Sequence, residues 1–179
     1  LLHDRPWTEP GTAILSVALV QPAQSLAMKW DGSADAAILA NFTATNRTLT
    51  RQDLVIWPET AIPHFRHEVQ PFLDREDAWA RKQGMGLLLG LPIAASEDVY
   101  YNSFIGLGTA AGTYSKRRLV PFGEYVPLEP WLRGMIAFFD LPMSNFNRAP
   151  EDQPPITLGA LRIAAAICYE IVYPNLVAT

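Results

Sequence analysis

Apolar and polar positions change period several times along the chain, and each change marks an element. Residues 14–21 are apolar and β-branched enough for a buried strand, closed by Pro22. From 34 to 49 the period lengthens: Ile38, Leu39, Phe42 and Leu49 recur at roughly helical spacing behind the acidic entry Asp31–Asp35. A short strand, 54–57, is halted by Pro58, and a second helical pattern over 67–83 ends at Gly84, a plausible C-terminal cap. GLLLGLPIA (86–94) and YYNSFIGL (100–107) read as adjacent strands, and a third strand over 112–120 follows a Gly-Thr-Ala-Ala-Gly turn. Residues 121–155 lose periodicity and become rich in proline and aromatics, a length of loop that is uncommon unless it serves a function. Two more strands, split at Gly159, are expected over 156–167, the second running straight into Cys168. Strand–helix–strand–helix followed by several strands predicts an α/β layered sandwich around a mixed sheet. Residues 1–12, with Pro6 and Pro10, read as a linker and 13–179 as one domain.

Composition narrows the function classes. Apolar residues make up 49% and charged residues 18% of the 179, which is globular rather than disordered. A net charge of −4 leaves no footprint for nucleic acid, so none is expected as a partner. No run reaches the ~18 uninterrupted apolar residues of a membrane span; the longest candidate, 161–172, is cut by Arg162 and Glu170. Leu1 is not a start methionine and the chain stops soon after an apolar stretch, so a piece of a longer protein is expected. His64 and His67 lack further ligands nearby, and neither a metal site nor a cofactor is expected.

The chemistry-bearing residues lie at strand ends. In α/β sheets reactive groups collect at the carboxyl ends of strands, where side chains emerge. The single cysteine, Cys168, falls at such a place, which moves it away from the role of a small core residue. Glu59 follows the 54–57 strand between Trp57 and Ile62, where it reads most simply as a surface-turn carboxylate, though partial desolvation there would suit a general base. Lys116 sits where a strand gives way to the aromatic-proline loop and could face a developing oxyanion. A thiol is mostly protonated at neutral pH and needs a base or a nearby cation to act as a nucleophile. Spacing alone does not bring the three together.

The segments WPETAIP (57–63), KRRLVPFGEYVP (116–127) and ICYE (167–170) occur in the order found in the nitrilase superfamily of carbon–nitrogen hydrolases, which the chain resembles. Together with FFDLPMS (138–144), their wording is similar to the apolipoprotein N-acyltransferase branch, over roughly 17–173. The resemblance implies an α-β-β-α sandwich, incomplete at its C-terminal end, with Cys168 as nucleophile, Glu59 as base and Lys116 as oxyanion stabiliser. It further implies that Glu124 helps to hold the lysine and substrate, that Tyr169 and Glu170 support activity, and that Trp30 lies at substrate access. One departure is Arg118, where the family often has histidine. The implied reaction moves an acyl chain from a phospholipid, through a cysteine thioester, to the α-amine of a diacylated apolipoprotein. It implies a bacterial inner-membrane enzyme whose catalytic domain faces the periplasm. The crowded apolar residues of 131–146 fit lipid contact. One alternative is a soluble amidase or nitrilase using the same three groups with water as acceptor; another is a non-catalytic lipid- or protein-binding module.

Overall fold

The computed structural model describes residues 11, 14–23, 34–121, 123–125 and 146–177. Trp30, the 1–12 linker except Gly11, and the apolar segment 131–146 except Phe146 lie outside them. The main sheet is built from β1 (Val17–Leu19), β2 (Leu54–Ile56), β3 (Gly86–Ala94), β4 (Tyr100–Gly108) and β6 (Thr113–Ser115), in that spatial order. β1, β2 and β3 pair in parallel, whereas β3–β4 and β4–β6 are antiparallel, so the sheet is mixed as expected. A smaller sheet joins β5 (Ala110–Ala111), β7 (Ile156–Leu158) and β8 (Leu161–Ile163).

Parallel neighbours need crossovers, and two helices supply them: α1 (Asp35–Thr48) between β1 and β2, and α2 (Gln70–Gln83) between β2 and β3. α1 buries Ile38, Phe42 and Asn46, each four residues apart and therefore on one face. α2 stops where Gly84 adopts φ 69° and its N–H returns to the carbonyls of Ala80 and Arg81. β3 is the hub, buried along most of its length. Its side chains alternate: Leu87, Leu89 and Leu91 join Phe42, Trp57, Phe72 and Leu73 on the helical side, while Leu88 joins Tyr114, Ile156, Leu158 and Ile167 under the smaller sheet. Helices, mixed sheet and second sheet are three successive layers of the expected sandwich.

Two strands are shorter than the hydrophobic pattern suggests. The 112–120 run pairs only over Thr113–Ser115, after the preceding turn has already lent Ala110–Ala111 to the second sheet. Beyond Ser115, Gln153 takes over the edge, its side-chain amide accepting from Ser115 N at 2.7 Å and donating to Ser115 O at 2.8 Å. The 161–167 run pairs only through Ile163, so Cys168 follows a stretch outside any ladder and opens a 3-10 turn, Cys168–Val172, ahead of the short helix α3 (Pro174–Val177).

A buried polar cluster locks the helical layer to the β2 strand end. The Glu76 carboxylate accepts from both terminal nitrogens of Arg47 (2.9 and 3.0 Å), from Thr43 Oγ1 (2.9 Å) and from Asn46 Nδ2 (3.0 Å). Asn46 in turn accepts from Trp57 Nε1 at 2.9 Å, and the Trp57 ring stacks on Phe42. Every polar atom of this set gained a partner on burial, which is the condition for such a cluster to stabilise. Glu76→Ala is expected to cost about 2–4 kcal/mol, below the full cost of stranding a buried ion because Arg47 reaches water. Thr43→Ala, losing one of these bonds, is expected to cost about 1 kcal/mol. Chemical denaturation of the purified protein measures both.

Candidate active site

Glu59 is carried by the loop that leaves β2. That loop runs along β3, with Trp57 N donating to Leu88 O (2.8 Å), Ile62 N to Gly90 O (3.2 Å) and Arg66 N to Pro92 O (3.0 Å). Thr60 takes φ 47° in the bend. The approach requires glycine at 90: a Cβ there would lie 2.5 Å from Thr60 N, 2.7 Å from Pro58 O and 2.8 Å from the Glu59 Cα, all backbone. Lys116 leaves the end of β6, and its N–H donates to Asn102 O on β4 at 2.8 Å, so the two residues sit opposite each other across the strands.

Around the Lys116 ammonium these elements converge. Its Nζ lies 2.8 Å from Glu124 Oε1 and 3.4 Å from Glu59 Oε1, and the side chain is only 1% exposed. Asn102 Nδ2 donates to the same two oxygens, at 2.5 Å to Glu59 and 3.1 Å to Glu124. Glu124 Oε2 is held by Val120 N at 2.9 Å. Burial works against the charge on Lys116, but the hydrogen bond to Glu124 and the charges of Glu59, Glu124 and Cys168 prevail and raise its pKa above the ordinary lysine value. The group is an ammonium at neutral pH.

Cys168 completes the constellation. Its thiol is within hydrogen-bond reach of the Glu59 carboxylate and takes the Tyr169 backbone N–H. Partial burial, and then the charge of Glu59, push the thiol above its ordinary pKa, with Lys116 and the Tyr169 amide pulling the other way. Cys168 has φ 53°, a left-handed conformation that costs a side-chain-bearing residue about 1–2 kcal/mol. The wholly buried Glu170 holds that bend in place. Its Oε2 accepts from Ile167 N (2.8 Å) and Tyr114 OH (2.9 Å), and its Oε1 from Arg117 N (2.6 Å) and Arg118 N (2.9 Å). Glu170 therefore ties the cysteine turn to the two residues after Lys116. These same bonds end β6, since Arg117 N and Arg118 N are no longer free for a ladder. Desolvation and Glu170 also push Tyr114 up to about 12, against the influence of Arg117, so its hydroxyl stays a donor.

Of the residues singled out in the sequence, Glu59, Lys116, Glu124 and Cys168 are brought together. Glu170 lies beneath them, and Tyr169 contributes its amide while its ring, 52% exposed, meets Tyr173 edge-on. Arg118 points outward to Glu151 Oε1 at 2.5 Å. The two histidines diverge: His64 Nε2 lies 3.0 Å from Asp35 Oδ1, while the His67 ring stacks on Phe65. Phe146 is buried against Tyr100 rather than displayed. A cavity of about 440 Å³, lined by Tyr114, Arg117, Arg162, Ala165 and Ile171 among others, lies behind the cysteine turn and does not include Glu59, Lys116 or Cys168. Asn102 belongs to none of the motifs that mark the other site residues. Its signal was an amide, a residue type depleted in strands, inside the aromatic and apolar run YYNSFIGL.

The pH midpoint for alkylation of Cys168 by iodoacetamide is expected above that of an ordinary cysteine, to fall in Glu59→Gln and to rise further in Lys116→Met. Gly90→Ala is expected to cost about 1–3 kcal/mol by forcing the backbone around Glu59 to shift. The same variant is expected to shift the pH midpoint of Cys168 alkylation, because the carboxylate beside the thiol moves with that backbone.

The carbon-nitrogen hydrolase family profile matches residues 16–179. Relatives named apolipoprotein N-acyltransferase are 47% identical in Azotobacter vinelandii and 41% in Pseudomonas syringae, each over 99% of this chain, and 35% in Coxiella burnetii over 95%. The chain spans 35–36% of the length of these relatives. A carbon-nitrogen hydrolase from Helicobacter pylori superposes with a TM-score of 0.57 at 15% identity, over 92% of this chain and 55% of the other. An amidase from Nesterenkonia superposes with a TM-score of 0.56 at 19% identity, over 93% and 62%. Those two likenesses speak to the fold, and the layered mixed sheet agrees with them. With the profile reaching from the start of β1 through the cysteine turn, the chain belongs to the carbon-nitrogen hydrolase family.

Proposed function

We propose that this chain carries the acyl-transferring centre of an apolipoprotein N-acyltransferase, with Cys168 as nucleophile, Glu59 as general base and Lys116 as the cation that stabilises the oxyanion. The observation that carries the reading is a thiol on a strained turn, within reach of a carboxylate that also touches a buried ammonium. Identity to the acyltransferases over nearly the whole chain supports this branch over an amidase.

In the first half-reaction Glu59 takes the thiol proton as Cys168 sulfur attacks the ester carbonyl of a phospholipid. Lys116 faces the negative oxygen of the tetrahedral intermediate, in a water-poor setting where a fixed charge is most effective. The carbon–oxygen bond breaks, Glu59 returns its proton to the departing alkoxide, and a lysophospholipid leaves. In the second half-reaction the α-amine of a diacylated apolipoprotein attacks the thioester and Glu59 accepts a proton from nitrogen; the carbon–sulfur bond then breaks, the N-acylated product leaves, and Glu59 passes the proton to the Cys168 sulfur, regenerating the thiol. Splitting the transfer in two is what a covalent nucleophile offers. With these substrates the enzyme works at the bacterial inner membrane with this domain on the periplasmic side. Among the described residues no helix is long and apolar enough to cross a membrane.

The test is to incubate the protein, expressed from its full open reading frame, with phosphatidylethanolamine and to weigh the Cys168 peptide by mass spectrometry. A mass increase of one acyl chain is expected, absent in Cys168→Ala. Glu59→Gln is expected to slow its formation at least about hundredfold, and Lys116→Met likewise by about 10²–10³. Amide hydrolysis without any acylated Cys168 from phospholipid would sink the acyltransferase reading in favour of an amidase.

A further inference from the structure

Asn102 is 2% exposed and lies in the middle of the charged cluster, yet it carries no charge and does not reach the sulfur by any contact described above. Its Nδ2 donates to Oε1 of Glu59 and to Oε1 of Glu124, the same two atoms that Lys116 Nζ approaches. Two donors and two acceptors thus form a closed square, with ammonium and amide on one diagonal and the carboxylates on the other. Among the described residues the amide oxygen is buried without a hydrogen-bond partner. A buried orphan acceptor is costly and normally avoided. Flipping the amide would turn that oxygen toward two carboxylate oxygens, a repulsive contact, so the charged pair fixes the orientation and the orphan is tolerated.

The Lys116 ammonium lies nearer Glu124 Oε1 (2.8 Å) than Glu59 Oε1 (3.4 Å), so its hold on Glu59 is the longer and weaker of the two. We propose that Asn102 is a positioning residue that keeps the Glu59 carboxylate aimed at Cys168, by adding a close donor at 2.5 Å to the longer 3.4 Å contact from Lys116, which sits nearer Glu124. The proposal rests on the reading of Glu59 as base. It assigns no chemistry to Asn102 itself, since no proton is transferred to or from the amide.

A double-mutant cycle on acylation tests it. The readout is the burst of p-nitrophenolate released as a short-chain p-nitrophenyl ester acylates Cys168, followed in the protein expressed from its full open reading frame. Asn102→Leu, which keeps the volume and removes the donor, is expected to slow the burst roughly ten- to hundredfold, the range for one hydrogen bond to a charged group. Asn102→Asp, which keeps the shape and places a third carboxylate beside the other two, is expected to slow it at least as much and covers the case in which the leucine variant folds poorly. Because Asn102 acts through Glu59, the double variant Asn102→Leu/Glu59→Gln is expected to be no slower than Glu59→Gln alone. Effects that multiply, or an unchanged burst in both single variants, overturn the proposal and leave the base assignment standing. A burst unaffected by Glu59→Gln overturns the base assignment and this proposal together.

Discussion

The site is organised by one costly act, the burial of the Lys116 ammonium. Removing an ammonium from water costs several kcal/mol even after the protein relaxes, and only well-placed anions offset it. Glu124 at 2.8 Å and Glu59 at 3.4 Å supply them. The requirement reaches far into the fold. Glu59 comes from the β2 end, Asn102 from β4, Lys116 from β6, and Glu124 from the segment after it whose Val120 N–H braces the carboxylate. The parallel β2–β3 pairing and the glycine at 90 bring the first within reach of the others. Removing either carboxylate leaves a less compensated charge in the interior, so the cluster stands or falls as a unit.

A second buried carboxylate does for geometry what the first pair does for charge. Glu170 accepts backbone hydrogens on both sides of the site, Ile167 before the cysteine and Arg117 and Arg118 after the lysine. Through it, two chain segments far apart in sequence keep a fixed spacing. The left-handed turn at Cys168 is affordable because its neighbours on each side are pinned. Farther out, the Glu76–Asn46–Trp57 chain performs a similar task for the segment leading into Glu59.

This division explains what was legible from residues alone. β3 runs over Gly86–Ala94 as the apolar run indicates, and α2 ends at Gly84, because local pattern and capping decide both. β6 and β8 end earlier than the apolar pattern predicts. β6 stops where Glu170 claims the next two amides and Gln153 occupies the edge, and no local rule announces a partner that lies so far along the chain. Glu59, Lys116 and Cys168 could be picked out one by one as groups at strand ends, but only the family resemblance joined them. The structure brings their side chains together, and it adds an amide that neither periodicity nor motif had marked. Asn102 was hidden because a buried asparagine in a strand looks like a local defect until its two acceptors are seen.

The arrangement also bears on when the proton moves in the proposed reaction. One ammonium facing two carboxylates leaves the cluster with a single net negative charge. Ionising Cys168 to solvent would add another negative charge in the same small volume; partial burial first, and then the charge of Glu59, raise the thiol pKa against it. Handing the proton to Glu59 adds none, since one anion replaces another. The thiol is therefore stable until a carbonyl is at hand, and its deprotonation belongs to the attack itself. Once Glu59 is protonated, Lys116 faces only Glu124 among its carboxylate partners, so its field at the substrate oxygen strengthens at the moment the oxyanion forms. When the intermediate collapses and Glu59 gives up its proton, the ammonium regains its second partner. The same three groups then stand in their starting charge states for the acceptor amine, which is why one constellation can serve both half-reactions.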